Sequence, residues 1–345
     1  MKLINRLMET KTGMNKKIVL TILAAGLILL VGNIKKIFGT EPAGKSEIIP
    51  VILDADIGDD IDDTWALAFL LQSPEFDVKL ITTAVGDTAA RAKVVAKILE
   101  TAGRTDIPIG IGVAEGDMKK GHRQDEWVKD FDMSKYAGKV YTDGIQAMID
   151  TIMNSPKQIT LIAIGPLPNV AEALKREPNI AKRAKFVGMQ GSVHRGFRGS
   201  PKPEPEYNVK TFIKASQAVF SAGWEMTITP LDTCSLVVLK EEKYKKVLSS
   251  NAPLAKAVIE NYRVWLNAHN NKNPADINNR SSILFDTVAV YLAMKTDFLE
   301  MENNGIRVAD DGMTAIDPNA NKVNCAVKWK DLAGYEDFLV ERLTK

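Results

Sequence analysis

From residue 48 onward, short runs of apolar and β-branched residues alternate with longer stretches whose apolar positions recur every third or fourth residue. The first pattern is that of buried strands and the second that of helices with one apolar face, so the chain reads as repeated βα units. Strands are predicted at 48–53, 78–85, 107–113, 159–164, 184–189 and 226–230, with helices between them at 63–71, 88–101, 142–153, 167–175 and 211–221. Such alternation builds a mostly parallel central sheet flanked by helices. The expected fold class is therefore α/β, a single Rossmann-like domain over 48–345, since no Pro-, Gly- or Ser-rich linker and no internal repeat divides that span. The last third, from about Glu241, reads as mainly helical, most clearly over 253–268 and 282–294. The segment 191–206 (GSVHRGFRGSPKPEPE) carries three glycines and three prolines and reads as a long loop, of a length that is usually functional or mobile.

The first 47 residues follow a different pattern. Lys16 and Lys17 precede the apolar run 18–31 (IVLTILAAGLILLV), and the polar stretch TEPAGKSE at 40–47 separates that run from the domain. A positive region followed by an apolar one is the layout of a signal peptide. A full span needs about 20 apolar residues, a length that Ile34, Ile37 and Phe38 would help to reach. Residues 1–47 are thus expected to be a signal peptide or an uncleaved N-terminal membrane anchor plus linker, and the domain to be exported. No cysteine follows the run, which argues against a lipid-modified N-terminus.

Composition narrows the partners. With 45% hydrophobic and 26% charged residues the chain is that of an ordinary globular protein. A net charge of +2, from 45 basic and 43 acidic side chains, gives no electrostatic footprint for nucleic acid and favours a small-molecule ligand. A homo-oligomer is compatible with this surface. Cys234 and Cys325 lie far apart and match neither a zinc spacing nor a redox pair, so they read as two buried thiols.

In open α/β sheets, ligands bind beyond the carboxyl ends of the strands. After the first predicted strand stands DADIGDDIDD, with carboxylates at Asp54, Asp56, Asp59, Asp60, Asp62 and Asp63. These groups repel one another, and a helix N-terminus offsets only about 0.3–1 kcal/mol for each exposed group. A divalent cation is the natural counter-charge, and an all-oxygen ligand set points to calcium or magnesium and away from zinc. A solvated acidic turn is the plainer alternative. An EF-hand fails, because its sixth and twelfth positions would be Asp59 and Trp65, where glycine and glutamate are required. An aspartyl-nucleophile phosphatase also places D-x-D after its first strand, but would need a hydroxyl and a lysine at later strand ends.

At these residues the chain resembles the inosine-uridine nucleoside hydrolase family, over roughly 48–300. That family opens with a D-x-D-P-G-x-D-D-A-x-A-L type motif after its first strand. VILDADIGDDIDDTWAL keeps the order, with two more residues between Gly58 and the final pair. GPLPNVAEAL at 165–174 is similar to the family's G-P-L-T-N-x-A segment, EYN at 206–208 to its E-F-N, and SSILFDTVAVYLA at 281–293 to its late metal-binding helix. The resemblance implies the nucleoside hydrolase fold and calcium-dependent hydrolysis of ribonucleosides to ribose and free base, a salvage reaction. It implies calcium binding by Asp56, Asp63 and Asp286 through side chains and by Pro168 through its backbone carbonyl, which proline retains. Asp62 would then meet the ribose hydroxyls, with Glu206, Asn208 and Asp87; the family usually has asparagine at the last position.

The residue types suit that chemistry on their own account. Cleaving an N-glycosidic bond builds positive charge on the ribose, and a carboxylate-crowded site favours that transition state over the neutral substrate. Asp56 is the expected base toward a metal-held water. The departing base is the harder matter. Where most of the family has a histidine before the late aspartate, this chain has Phe285, which cannot donate a proton but can stack on a base. His194, Arg195 and His122 are the remaining candidates for assisting departure. From another class, an exported protein that binds a sugar or nucleoside through the same calcium site with little catalysis would share every one of these motifs.

Overall fold

The computed structural model describes residues 48–119, 122–268 and 274–345. The expected signal peptide or anchor at 1–47 lies outside the described residues. Among the described residues no helix is long and apolar enough to cross a membrane.

Ile48–Lys345 form one unit around a ten-stranded sheet. Its strands are β1 (Ile49–Ala55), β2 (Phe76–Thr83), β3 (Ile109–Ile111), β4 (Val140–Tyr141), β5 (Ile159–Ala163), β6 (Ala184–Met189), β7 (Met226–Thr229), β8 (Leu299–Val308), β9 (Thr314–Ile316) and β10 (Lys322–Trp329). They lie in the order β4-β3-β2-β1-β5-β6-β7-β10-β8-β9. Every pairing from β4 to β10 is parallel, and only the β10–β8 and β8–β9 pairs are antiparallel. The mostly parallel α/β sheet is as expected.

β1 is apolar almost throughout because it is covered on both faces, as central parallel strands are. Val51 and Leu53 join the core on one face with Trp65, Phe69 and Tyr262, while Ile52 joins the opposite core with Phe186, Val219 and Trp224. Full burial of one such side chain contributes roughly 1.5–3 kcal/mol. The helix Asp62–Leu71 is buried along nearly its whole length, which explains its lack of a polar face. Strand order reverses between β1 and β5, since β1 is followed by β2 on one side and β5 on the other. A crevice for ligand opens at the carboxyl ends beside such a reversal.

The last third holds more helix than strand, as expected, over Glu241–Leu248, Pro253–Ala268, Pro274–Asn279, Thr287–Leu292 and Leu332–Leu343. Three strands there were not expected: β8, β9 and β10 extend the sheet, β10 pairing in parallel with β7 through Asn324 to Thr227 and Cys325 to Ile228. The helix expected at 282–294 is confined to Thr287–Leu292. The residues before it run beside 237–239, with Ser281 N–H donating to Leu239 O at 2.9 Å and Leu284 N–H to Val237 O at 2.9 Å. Those mutual bonds satisfy the backbone without a helix. The stretch 211–221 holds two helices, Tyr207–Thr211 and Ile213–Phe220, broken at Phe212 where ψ is 66°. Both cysteines are free and buried, as expected.

Candidate active site

β1 delivers the aspartate segment to the crevice. The chain turns at Gly58, whose φ of 110° suits only glycine, and re-enters regular structure at Asp62. Two distant segments hold the expanded loop between them. Trp265 Nε1 donates to Asp59 O at 3.0 Å, Gln124 Nε2 to Asp60 O at 2.7 Å, and Arg123 Nε pairs with Asp59 Oδ1 at 3.0 Å. Gln124 is itself fixed, its Oε1 accepting from Thr64 Oγ1 at 3.1 Å and Asn261 Nδ2 at 2.7 Å.

The carboxylates then divide by role. Asp54 turns into the protein, accepting from Thr82 Oγ1 at 2.5 Å and Asn169 Nδ2 at 2.7 Å, and burial pushes its carboxyl up to about 6. Asp62, Asp63 and Asp286 converge, with one carboxylate oxygen from each lying within 4.8 Å of the others. Asp62 and Asp286 share a hydrogen bond. Asp56 lines the same cavity and rests against Gly165, where an added Cβ would stand 2.5 Å from its Oδ1. Burial raises Asp56 to about 6, although the Arg91 guanidinium opposes the shift. Burial also lifts Asp62, Asp63 and Asp286 well above the carboxylate range, and repulsion from neighbouring aspartates adds to it.

This set fits a hard divalent cation. Two carboxylates at such separations repel by roughly 3 kcal/mol at an effective dielectric near 20, so three buried together need protons or a cation. Asp63 Oδ1 is buried and has no hydrogen-bond partner, leaving a lone pair aimed at nothing in the protein. All the donors are oxygens, the preference of calcium and magnesium. Arg91 lies beneath the loop, fully buried, donating from Nε to Val85 O at 2.6 Å and from Nη1 to Ile57 O at 2.8 Å. Val85 holds a φ of 68°, a strained value for a β-branched residue. Its carbonyl is thereby presented to the guanidinium.

The cavity, of about 360 Å3, also gathers Glu206, Asn208 and Phe285. Glu206 caps the helix Tyr207–Thr211, accepting from Asn208 N at 2.7 Å, Gly191 N at 3.0 Å and Val209 N at 3.2 Å. Burial outweighs those bonds and pushes Glu206 up to about 7. The Asn208 amide nitrogen serves the carbonyls of Ile164 and Met189, each at 3.0 Å. Phe285 stacks on Phe197 with centroids 6.1 Å apart and planes 19° apart.

Four candidates lie elsewhere: Asp87, His122, His194 and Pro168. Asp87 caps the helix Thr88–Thr101 through Ala90 N and faces His122 at 3.6 Å, outside the cavity lining. His122 is held by Asp125 at 2.8 Å, and that bond raises its pKa. His194 pairs with Glu302 on β8 at 2.8 Å and does not line the cavity. Pro168 begins the helix Pro168–Arg176 and lines an adjoining groove with Phe212. Conversely, Arg123, Phe197, Glu204 and Lys210 line the cavity, as the sequence reading did not anticipate.

A mostly parallel α/β sheet whose switch point carries a cluster of buried carboxylates fits the site of a hydrolase. The family is more particular. The sequence model of the inosine-uridine preferring nucleoside hydrolases matches residues 51–335, and the chain belongs to that family of N-glycosyl hydrolases. It is 27% identical over 314 residues to the pyrimidine-specific ribonucleoside hydrolase RihA of Citrobacter koseri, covering 86% of this chain and 98% of that one. The RihA of Salmonella arizonae is 28% identical over 313 residues at the same coverage. Among solved structures, a plant nucleoside hydrolase superposes with a TM-score of 0.67 at 23% identity, covering 86% of this chain and 99% of the other. The purine-preferring ribonucleoside hydrolase of Gardnerella vaginalis gives 0.68 at 20% identity, with 86% and 98% covered. At these identities the likeness shows the shared fold.

Proposed function

We propose that the protein hydrolyses the N-glycosidic bond of ribonucleosides with calcium as its resident cation. The convergence of Asp62, Asp63 and Asp286 beside Asp56 carries this reading. Asp56, Asp63 and Asp286 would hold the ion through their side chains. When bound, calcium supplies a Lewis acid that makes a held water easier to deprotonate. Asp56 would take up the proton of the attacking water as general base. Asp62, Glu206 and Asn208 receive the ribose hydroxyls on the floor of the cavity, and the carboxylates around them stabilise the developing oxocarbenium charge. The pyrimidine specificity of the curated relatives supports uridine and cytidine as the first substrates to try.

Ribose release from uridine, inosine and 4-nitrophenyl riboside, before and after chelation, tests the reading. Activity should vanish with chelator and return with calcium. Recovery with magnesium alone would overturn the choice of ion, and hydrolysis indifferent to chelation would overturn the metal site.

The layout of residues 16–31 supports export of the domain, by a signal peptide or an anchor. Cell fractionation should find the activity outside the cytoplasm; a soluble full-length cytoplasmic enzyme would refute this.

A further inference from the structure

Beyond the Phe197–Phe285 pair lies a second cavity of about 560 Å3, and the two rings, with Asp60, line both spaces. Its wall is a short ribbon in which Lys240 and Arg280 form an antiparallel bridge, tied further by Leu239 N–H donating to Ser281 Oγ at 3.0 Å. Tyr262 and Trp265 add aromatic surface. Arg198 reaches it from the long loop, with its guanidinium carbon 5.1 Å from the Phe197 ring centre. The backbone there is under constraint: Arg198 has a φ of 54° and Gly199 of 76°, and Arg198 N–H is fixed to Ser235 Oγ at 3.0 Å. A non-glycine residue held at positive φ costs of order 1 kcal/mol and persists where the surroundings dictate it.

Charge reverses across the aromatic pair. Eight carboxylates and two cations line the first cavity; three cations and one carboxylate line the second. Heterolysis of an N-glycosidic bond separates charge in that same sense, leaving a cation on the ribose and an electron pair on the base. The reaction needs either a proton for the base or a positive environment to receive it, and Phe285 supplies no proton.

We propose that the departing nucleobase leaves as its anion, stacked against Phe285 and Phe197 and facing the cations Arg198, Lys240 and Arg280 of the second cavity. The proposal rests on the ribonucleoside-hydrolase reading above. The C1′–N bond breaks with its electron pair going to the base nitrogen. A water oxygen bonds to C1′, and the proton that water loses passes through a carboxylate of the first cavity to solvent. The released anion takes a proton from solvent, so the sum is nucleoside plus water giving ribose plus neutral base.

Calorimetric titration of the full protein with 5-fluorouracil and with uracil, in the presence of calcium and ribose, tests this without relying on turnover. These bases differ mainly in the pH at which they ionise. Asp60, Lys240 and Tyr262 also face the cavity and titrate, but their effect is common to both ligands. Affinity should rise about tenfold as each base ionises, at a different pH for each, and the rise should shrink in Arg198→Asn and Arg280→Gln. Asparagine suits the positive φ at 198, and melting curves report whether either variant folds. In the same variants, uridine hydrolysis should fall about tenfold, and 4-nitrophenyl riboside, whose leaving group is far more acidic, should fall less. Affinity that ignores or declines with base ionisation overturns the proposal, as do equal losses on the two ribosides. A protein that cleaves no riboside at all fails the functional reading instead, and the titration still decides whether the cavity prefers the anion.

Discussion

Asn169 donates to Asp54 across 2.7 Å although 115 residues separate them, and its Oδ1 accepts from Val113 N at 2.8 Å. The same amide nitrogen reaches Thr83 O at 3.0 Å. One buried side chain therefore ties the ends of β1 and β2 to the segment following β3, directly behind the acidic cavity.

Replacing Asn169 by Ala removes three hydrogen bonds: Val113 N loses its acceptor, Asp54 is left with Thr82 Oγ1, and Thr83 O is left with Gly112 N. A donor left unsatisfied costs about 1–3 kcal/mol and each other lost hydrogen bond about 1 kcal/mol, so the variant should lose roughly 2–4 kcal/mol of unfolding free energy. Urea denaturation measures this, and an unchanged midpoint would mean that the network is dispensable.

Proton linkage gives a second expectation. Asp54 and Glu206 sit at about 6 and about 7 in the folded protein, above their ordinary 3.8 and 4.5. A carboxyl whose folded value is raised binds its proton more tightly in the native state than in the unfolded chain. The stability this brings is complete below the unfolded value and is lost as pH rises through the folded one. Chelator-treated protein should therefore melt at progressively lower temperature between about pH 4 and pH 7.5. Added calcium, which competes with protons for carboxylates, should raise the melting temperature more at the upper end than at the lower. A chelated protein that is most stable above neutrality would contradict the assignment.

Asp286→Asn should change sign with calcium. In chelator it removes a buried acid that must either hold a proton or repel Asp62 and Asp63, and should stabilise the fold. With calcium present it removes a ligand, and affinity should fall at least about a hundredfold. Calorimetric titration that finds the wild-type affinity would take Asp286 out of the metal site.

At Gly165 the constraint is one of space. A Cβ there would stand 2.5 Å from Asp56 Oδ1 and 2.9 Å from its Cγ, so Gly165→Ala must displace the carboxylate. Turnover should drop at least about a hundredfold while the melting temperature moves little, since the clash falls on a side chain and not on the sheet. Full activity in that variant would show that Asp56 need not stand where it does.

Much of this was legible in the sequence where packing is strongest. β1 and β5 are buried on both faces and read as unbroken apolar runs, and the aspartates follow β1 directly. β8 escaped notice for the opposite reason. From Leu299 to Gly305 it pairs with β10 alone, and the open side of such a strand is protected by residues like Glu300, Glu302 and Asn304, which erase the apolar signal. His194 is drawn to Glu302, so its placement was hidden with that strand. Arg91 was hidden too: an arginine in a helix reads as solvated, and only the carbonyls of Val85 and Ile57, brought together by the fold, explain its burial. Phe197 belongs to a loop with no periodicity, where nothing local indicates which ring would meet Phe285.

The clamp on the acidic loop has an evolutionary corollary. Trp265 and Gln124 grip the carbonyls of Asp59 and Asp60, residues of the stretch that this chain has lengthened. Where the loop is shorter, an indole and an amide at those positions would lose these two acceptors and with them one reason to be kept. Across the family, the two extra residues should therefore covary with Trp at 265 and Gln at 124, and the three changes should be gained or lost together.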